Sequence, residues 1–236
     1  MRKLTELFRS DQNEVSDVVD TGLPGTTEIE NPEVEGIKAD TEEDHPGRGE
    51  LGEDGTFEQG DDRGPFSSTY SGALFFVNEC NVQDIPILDV AQALSMNCRF
   101  NGHIDKFYSV AEHSVLVSNL VSEENALYGL LHDYAEAFVS DVPRPFKTTI
   151  TGHDEFEARI MAEVCALYGL PLEMPEEVRY IDTHICAAEA NVLSKVVPDW
   201  VQHYDLSVVD PRDIQGLTFK QARDAFMTRF NELTSL

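Results

Sequence analysis

Basic residues are scarce in this chain: 17 Lys and Arg stand against 44 Asp and Glu among 236 residues, a formal charge of −27. That balance excludes sequence-independent binding along a nucleic-acid backbone, which needs clustered Lys and Arg to displace counterions. Long apolar runs are also missing. No segment approaches the roughly 18 consecutive apolar residues of a membrane span, and the opening MRKLTELFRS lacks the apolar middle of a signal peptide. Cysteine is sparse, and Cys80, Cys98, Cys165 and Cys186 form no CxxC pair. A paired-cysteine zinc or redox centre is thereby excluded, and reduced thiols in a soluble protein of the cytoplasm are the simplest reading.

What is present divides the chain in two. The first 70 residues hold 19 acids and 6 bases, with isolated apolar residues among Gly, Pro, Thr and Asn. Such a composition cannot bury enough apolar surface to offset the entropy of ordering. Residues 1–69 are therefore expected to be a disordered, acidic, low-complexity tail, apart from a brief amphipathic helix over Arg2–Phe8. A solvating extension is the plain reading of this tail; a partner-docking arm or a DNA-mimicking segment are the alternatives. The last 166 residues carry 25 acids, 11 bases and almost all the long apolar runs, enough for one helical core.

Order is expected from about residue 70, with GALFFVNEC as a short strand or extended lead-in. A helix opened by Pro86 follows, with Ile87, Val90, Ala91 and Leu94 at helical spacing. Ser109 and Glu112 make a capping-box pattern before a helix running through Val121. Further helices are read over 124–138, 153–169, 175–197 and the final stretch from Thr218. The expectation is an all-α bundle of about six or seven helices over residues 70–236.

Chemistry concentrates in LLHDYAEAFVSDVPRPFK. On a helix His132, Asp133 and Glu136 cluster over one turn, and Leu130 and Leu131 draw them towards the core. An imidazole beside a carboxylate in an apolar setting invites a cation. His113, among Val110, Val117 and Leu120, and Asp182, between Ile181 and Ile185, are candidates to complete a set of two nitrogens and two oxygens. Such a set suits Mn, Co, Fe, Ni or Zn, and Mg is possible. A second His-Asp pair, His153–Asp154, opens a helix and reads as capping and solvation. Taken singly, His113 could be a core histidine, Arg99 a helix-ending residue and Lys147 a solvent-facing loop residue. His103 has no assigned role, a surface position being its plain reading, and His184 and His203 are read as structural. Glu189, seven residues after Asp182, shares its helical face and can orient the site or pair with a base.

His113, His132–Asp133 and Asp182, in that order on successive helices, resemble the H…HD…D signature of HD-domain metal-dependent phosphohydrolases. HDYAEAFVSDVPRPFK is similar to the HDxxE…DxPxPxK segment of the 5′-deoxynucleotidase subgroup and of phage dATP triphosphohydrolases, and LSMNCRFNGHIDKFYSVAEHSVLVS to the helix pair before it. The resemblance covers about residues 71–230. It implies that His113, His132, Asp133 and Asp182 hold one divalent metal, that Glu136 orients or deprotonates water, and that Asp141 is a second acid-base group or holds substrate. It also implies that Arg99 and Lys147 face substrate phosphate. Phe100 stands where the subgroup usually has Trp, an apolar wall against a 2′-hydroxyl.

The function this implies is hydrolysis of nucleotides, preferentially deoxynucleotides, by attack of water at the α-phosphorus. The substrate would be a triphosphate, as in dATP triphosphohydrolases, or a 5′-monophosphate. A homo-oligomer in the cytoplasm, that of the host if the chain is phage-encoded, goes with it. Two other readings compete. Alarmone hydrolysis would favour an acidic pair where Glu136 is followed by Ala137. A non-catalytic nucleotide-binding module with a partner-recruiting tail would not need the full ligand set.

Overall fold

A computed structural model describes residues 63–234, together with the backbone of two short strands, β1 (Glu50–Leu51) and β2 (Phe57–Glu58), which pair antiparallel. The expected helix over Arg2–Phe8 and most of the acidic tail lie outside the described residues. The tail boundary at residue 69 needs correction. β3 (Phe66–Ser68) pairs antiparallel with β4 (Leu74–Phe76), so the folded part takes in residues assigned to the tail. The reason is packing: Phe75 and Phe76 are buried, and the Phe75 ring stacks on Phe138 at 3.9 Å.

From there the described chain is helical, as expected. Its helices are α1 (Ile87–Met96), α2 (Val110–Leu120), α3 (Ala126–Leu131), α4 (Glu136–Val139), α5 (Arg144–Lys147), α6 (His153–Tyr168), α7 (Glu176–Leu193) and α8 (Phe219–Thr234). Several short 3₁₀ turns join them. α2 is the central element and packs against α1, α3, α7 and α8. It is buried nearly all round, at Val110, Ala111, Leu116 and Val117 and also at Glu112, His113, Ser114 and Ser118. A helix with so little solvent-facing surface belongs in the interior, and α2 links two apolar clusters. One joins Val110 and Ala111 to Leu130, Leu131, Ile160, Ala222, Phe226 and Phe230. The other joins Leu116 and Val117 to Tyr128, Val178, Ile185 and Leu193.

Local chemistry explains the element ends and two departures from expectation. Ser109 caps α2, its hydroxyl accepting from the Glu112 N–H at 3.2 Å. Glu112 does not complete the box. Its carboxylate accepts from the backbone N–H groups of Gln215, Gly216 and Leu217 at 2.9, 2.9 and 2.7 Å, three donors in place of one, and so anchors the lead-in to α8. The continuous helix expected over 124–138 is broken. Between α3 and α4 the Tyr134, Glu136, Ala137 and Phe138 N–H groups each bond the carbonyl three residues back. This tightened, 3₁₀-like stretch holds the His132–Asp133 pair. α7 stops at Leu193, short of the expected Val197, where Ser194 turns extended.

Candidate metal centre

Arg99 reaches the interior through an unusual turn. Phe100, Asn101 and Gly102 all have positive φ, at 55°, 50° and 74°, a conformation that Phe adopts only at a cost. The loop is closed by Arg99 N–H to the Tyr108 carbonyl at 2.9 Å and Val110 N–H to the Asn97 carbonyl at 3.0 Å. Asp105 N–H to the Leu193 carbonyl, at 2.9 Å, ties it to the end of α7. Arg99 thus lies buried between α2 and α7, with its Nε on Glu189 Oε2 at 3.0 Å. It does not merely end a helix.

The four expected ligand residues come together. His113 Nε2 lies 3.1 Å from Asp182 Oδ1 and 3.7 Å from Asp133 Oδ2. His132 Nε2 lies 3.2 Å from Asp133 Oδ2 and 3.8 Å from Asp182 Oδ1. Both imidazoles have their tautomer fixed from behind. His113 Nδ1 is 2.7 Å from Glu189 Oε1, and His132 Nδ1 is 2.8 Å from the Gly129 carbonyl. A carboxylate and a carbonyl can only accept, so each Nδ1 carries a proton, and each ring in its neutral form would offer its Nε2 lone pair to the same space.

These donors fit a divalent ion. Atoms bound at about 2.1 Å around one metal sit roughly 3.0–3.4 Å from their neighbours in octahedral or tetrahedral geometry, close to the spacings here. His113, His132 and Asp182 can hold such an ion, with ligand atoms all within 4.8 Å of one another. His132 Nε2 is buried and has no hydrogen-bond partner, since Asp133 is near but poorly aligned. Two Nε2 atoms facing two carboxylates call for positive charge between them, carried by a bound cation or, without one, by protons on the rings. Burial alone would push Asp133 up, yet His132 and His113 hold it down at about 2. Asp182 is likewise held well below its ordinary range, against burial, by the two histidines beside it. Burial works against charging either imidazole. The pull of Asp133 and Asp182 nevertheless raises His132 well above its usual value, and Glu189 and Asp182 raise His113.

Beside the cluster opens a cavity of about 510 Å³, lined by Arg99, Phe100, Asp133, Glu136, Asp141, Arg144, Lys147 and Asp182, and also by Thr183, Cys186, Trp200 and Tyr204. The lining has three basic side chains, Arg99, Arg144 and Lys147, against four acids, so it is not positive without a bound cation. Arg99 has Asp133 at 3.7 Å and Asp141 at 3.9 Å from its Nη1. Lys147 is half-buried and held by Glu157 at 2.9 Å, with Glu136 Oε1 at 3.8 Å. Its segment is one turn of helix, α5, and not a loop. Glu136 is buried and its Oε2 has no partner. Burial, reinforced by Asp133 and Asp141, raises its pKa well above the ordinary carboxyl range.

The second His-Asp pair differs from expectation in one half. Asp154 is exposed in the first turn of α6, consistent with solvation and the helix dipole. The His153 ring is largely buried and neither of its nitrogens makes a hydrogen bond, although Nδ1 lies 3.6 Å from Asp154 and 3.5 Å from Glu157. His153, Asp154 and Glu157 lie within metal-binding reach, but the Lys147 ammonium already occupies Glu157. His103 is exposed, and His184 bonds the Tyr180 carbonyl through Nδ1 at 2.7 Å. All four cysteines are free. No helix among the described residues is long and apolar enough to cross a membrane. Glu157, Trp200 and Tyr204 were not singled out by sequence; a lone aromatic in a polar linker carries no periodic signal.

Fold and centre together define an all-α protein with a buried His/Asp cluster able to hold a metal ion. The chain belongs to the family of the uncharacterized protein YfdR of Escherichia coli (strain K12). The two are 37% identical over 174 residues, which is 72% of this chain and 97% of YfdR. It is also similar to the uncharacterized protein RCAP_rcc00048 of Rhodobacter capsulatus, at 38% identity over 106 residues, 41% of this chain and 54% of that one. No family model matches the chain.

Proposed function

We propose that this chain is a metal-dependent phosphohydrolase of nucleotides, with deoxynucleotides as the preferred class. One observation carries the reading: two tautomer-locked imidazoles and two carboxylates converge beside a cavity lined by Arg99, Arg144 and Lys147. A cavity of about 510 Å³ is in the range of sites that enclose molecules of nucleotide size.

When bound by His113, His132, Asp133 and Asp182, a divalent ion supplies polarisation of a phosphoryl oxygen and acidification of water. The chain's own residues supply the rest. Glu136 lines the cavity beside the cluster and would take a proton from the attacking water and hold it. Asp141 lines the same cavity and constrains the Arg99 guanidinium from one side. Arg99 and Lys147 meet the charge that grows on the phosphoryl oxygens. Phe100, half-buried in the lining, forms an apolar wall for a sugar without a 2′-hydroxyl.

The test is a panel of ribo- and deoxyribonucleoside mono- and triphosphates with Mn, Co, Zn and Mg, products separated chromatographically. Nucleoside plus inorganic triphosphate identifies a triphosphohydrolase, and nucleoside plus phosphate a nucleotidase. Hydrolysis of none of them with any metal refutes the proposal.

A further inference from the structure

The cavity lining divides by chain origin. Its charged members come from the loop after α1 and from the stretch from Asp133 to α5, with Asp182 added by α7. Trp200 and Tyr204 come from the segment after α7, which supplies no charged group to the lining. Trp200 is the only tryptophan of the chain and is 41% exposed, although its neighbour Val201 is buried and pins the same 3₁₀ turn.

These rings are held in place. Trp200 meets Tyr204 edge-on at 5.8 Å and 85°, and Tyr204 meets His184 edge-on at 5.7 Å and 82°. His184 stacks on Tyr180 at 4.0 Å, and its Nδ1–H is fixed by the Tyr180 carbonyl. Four rings thus form a ladder from α7 to the cavity. An ordered aromatic surface beside a phosphate-type site suits a planar ring carried on the phosphate, and pre-ordering lowers the entropy lost on binding. A base-free sugar phosphate or a polyphosphate gains nothing from it.

Resting on the phosphohydrolase reading, we infer that Trp200 and Tyr204 form the platform that binds the nucleobase, so the site selects phosphate esters carrying a heteroaromatic base. Stacking on an aromatic side chain is sequence-tolerant, since every base has a π-face. The platform therefore distinguishes nucleotides from other phosphate esters more than one base from another.

The single tryptophan is its own reporter. In the full chain carrying Glu136→Gln, with Mg present, indole emission is recorded against deoxyadenosine mono- and triphosphate, 2-deoxyribose 5-phosphate and inorganic triphosphate. Saturable quenching by the nucleotides and none by the base-free probes is expected. In the otherwise unaltered chain, Trp200→Leu raises KM for nucleotides roughly tenfold or more with kcat little changed, and Trp200→Phe recovers most of the loss. Turnover with no emission change and an unaltered KM in Trp200→Leu overturns the platform while leaving the hydrolase. Base-dependent quenching without hydrolysis of any phosphate ester removes the reaction and keeps the platform. An emission change on diluting the protein, with none on adding nucleotide, makes the rim a contact between copies and overturns the inference.

Discussion

Glu189 holds His113 and Arg99 at once. Its Oε1 faces His113 Nδ1 at 2.7 Å and its Oε2 accepts from Arg99 Nε at 3.0 Å, with the carboxylate fully buried. Removing it leaves a guanidinium inside the protein without its nearest counter-charge, so Glu189→Ala is expected to cost about 3–5 kcal/mol, read from the urea midpoint. Glu189→Gln keeps an acceptor and the fold, but metal affinity falls about 10- to 100-fold, the usual effect of losing a partner behind a ligating histidine. Calorimetric titration checks this, and wild-type affinity in both variants would show that Glu189 does not orient the site.

Metal removal should register as lost stability. Adding Mn, Co or Zn to chelator-treated protein at a hundred times the dissociation constant stabilises the fold by about 2.7 kcal/mol and raises Tm. His132→Ala and Asp182→Ala should abolish most of that shift. An equal shift in both variants would mean the ion binds elsewhere, with His153, Asp154 and Glu157 the first place to look.

Glu136 sets a trade-off with a defined sign. Burial, with Asp133 and Asp141, raises its folded-state pKa well above the ordinary 4.5. Its contribution to stability in the metal-free protein is then fully present below the unfolded value and is lost as pH rises through the folded one. Glu136→Gln abolishes this titration. The variant should be inactive, yet gain stability over the parent as pH climbs from acid towards neutral. Urea midpoints of both proteins across that range decide it, and a constant difference between them would refute the assignment.

A change without polar atoms should also disturb the centre. Gly129 supplies the carbonyl that fixes His132, and a Cβ there would lie 3.2 Å from the Ser118 Cα and 3.3 Å from its N. Gly129→Ala must spread α2 from α3, at about 1–3 kcal/mol, against a helix-propensity gain of about 1 kcal/mol. A net loss of stability together with weaker metal binding is expected. Improved stability with unchanged binding would show that the helices adjust freely.

The helices were legible because their apolar residues recur at helical spacing and their ends carry ordinary signals, Pro86 before α1 and Ser109 before α2. The convergence of His113, His132, Asp133 and Asp182 was legible because each sat on an apolar stripe, where a charged group needs a reason. Other features had no local signature. The partners of Glu112 lie more than 100 residues away, so Ser109 and Glu112 looked like a complete box. The break after Leu131 arises where His132 and Asp133 must face a shared centre, and the surrounding residues are good helix formers. Phe66–Ser68 looked like tail because its contribution is made by pairing with Leu74–Phe76, which composition cannot express.

α8 places no residue at the candidate centre, yet it packs against α1, α2 and α3 and supplies Ala222, Phe226 and Phe230 to the cluster that contains Leu130 and Leu131. Every ligand and cavity side chain precedes it in the sequence. A ribosome therefore finishes the candidate centre before it finishes the floor beneath it. A frameshift or nick just ahead of Phe219 would disturb the candidate centre, though it leaves each of its residues in place.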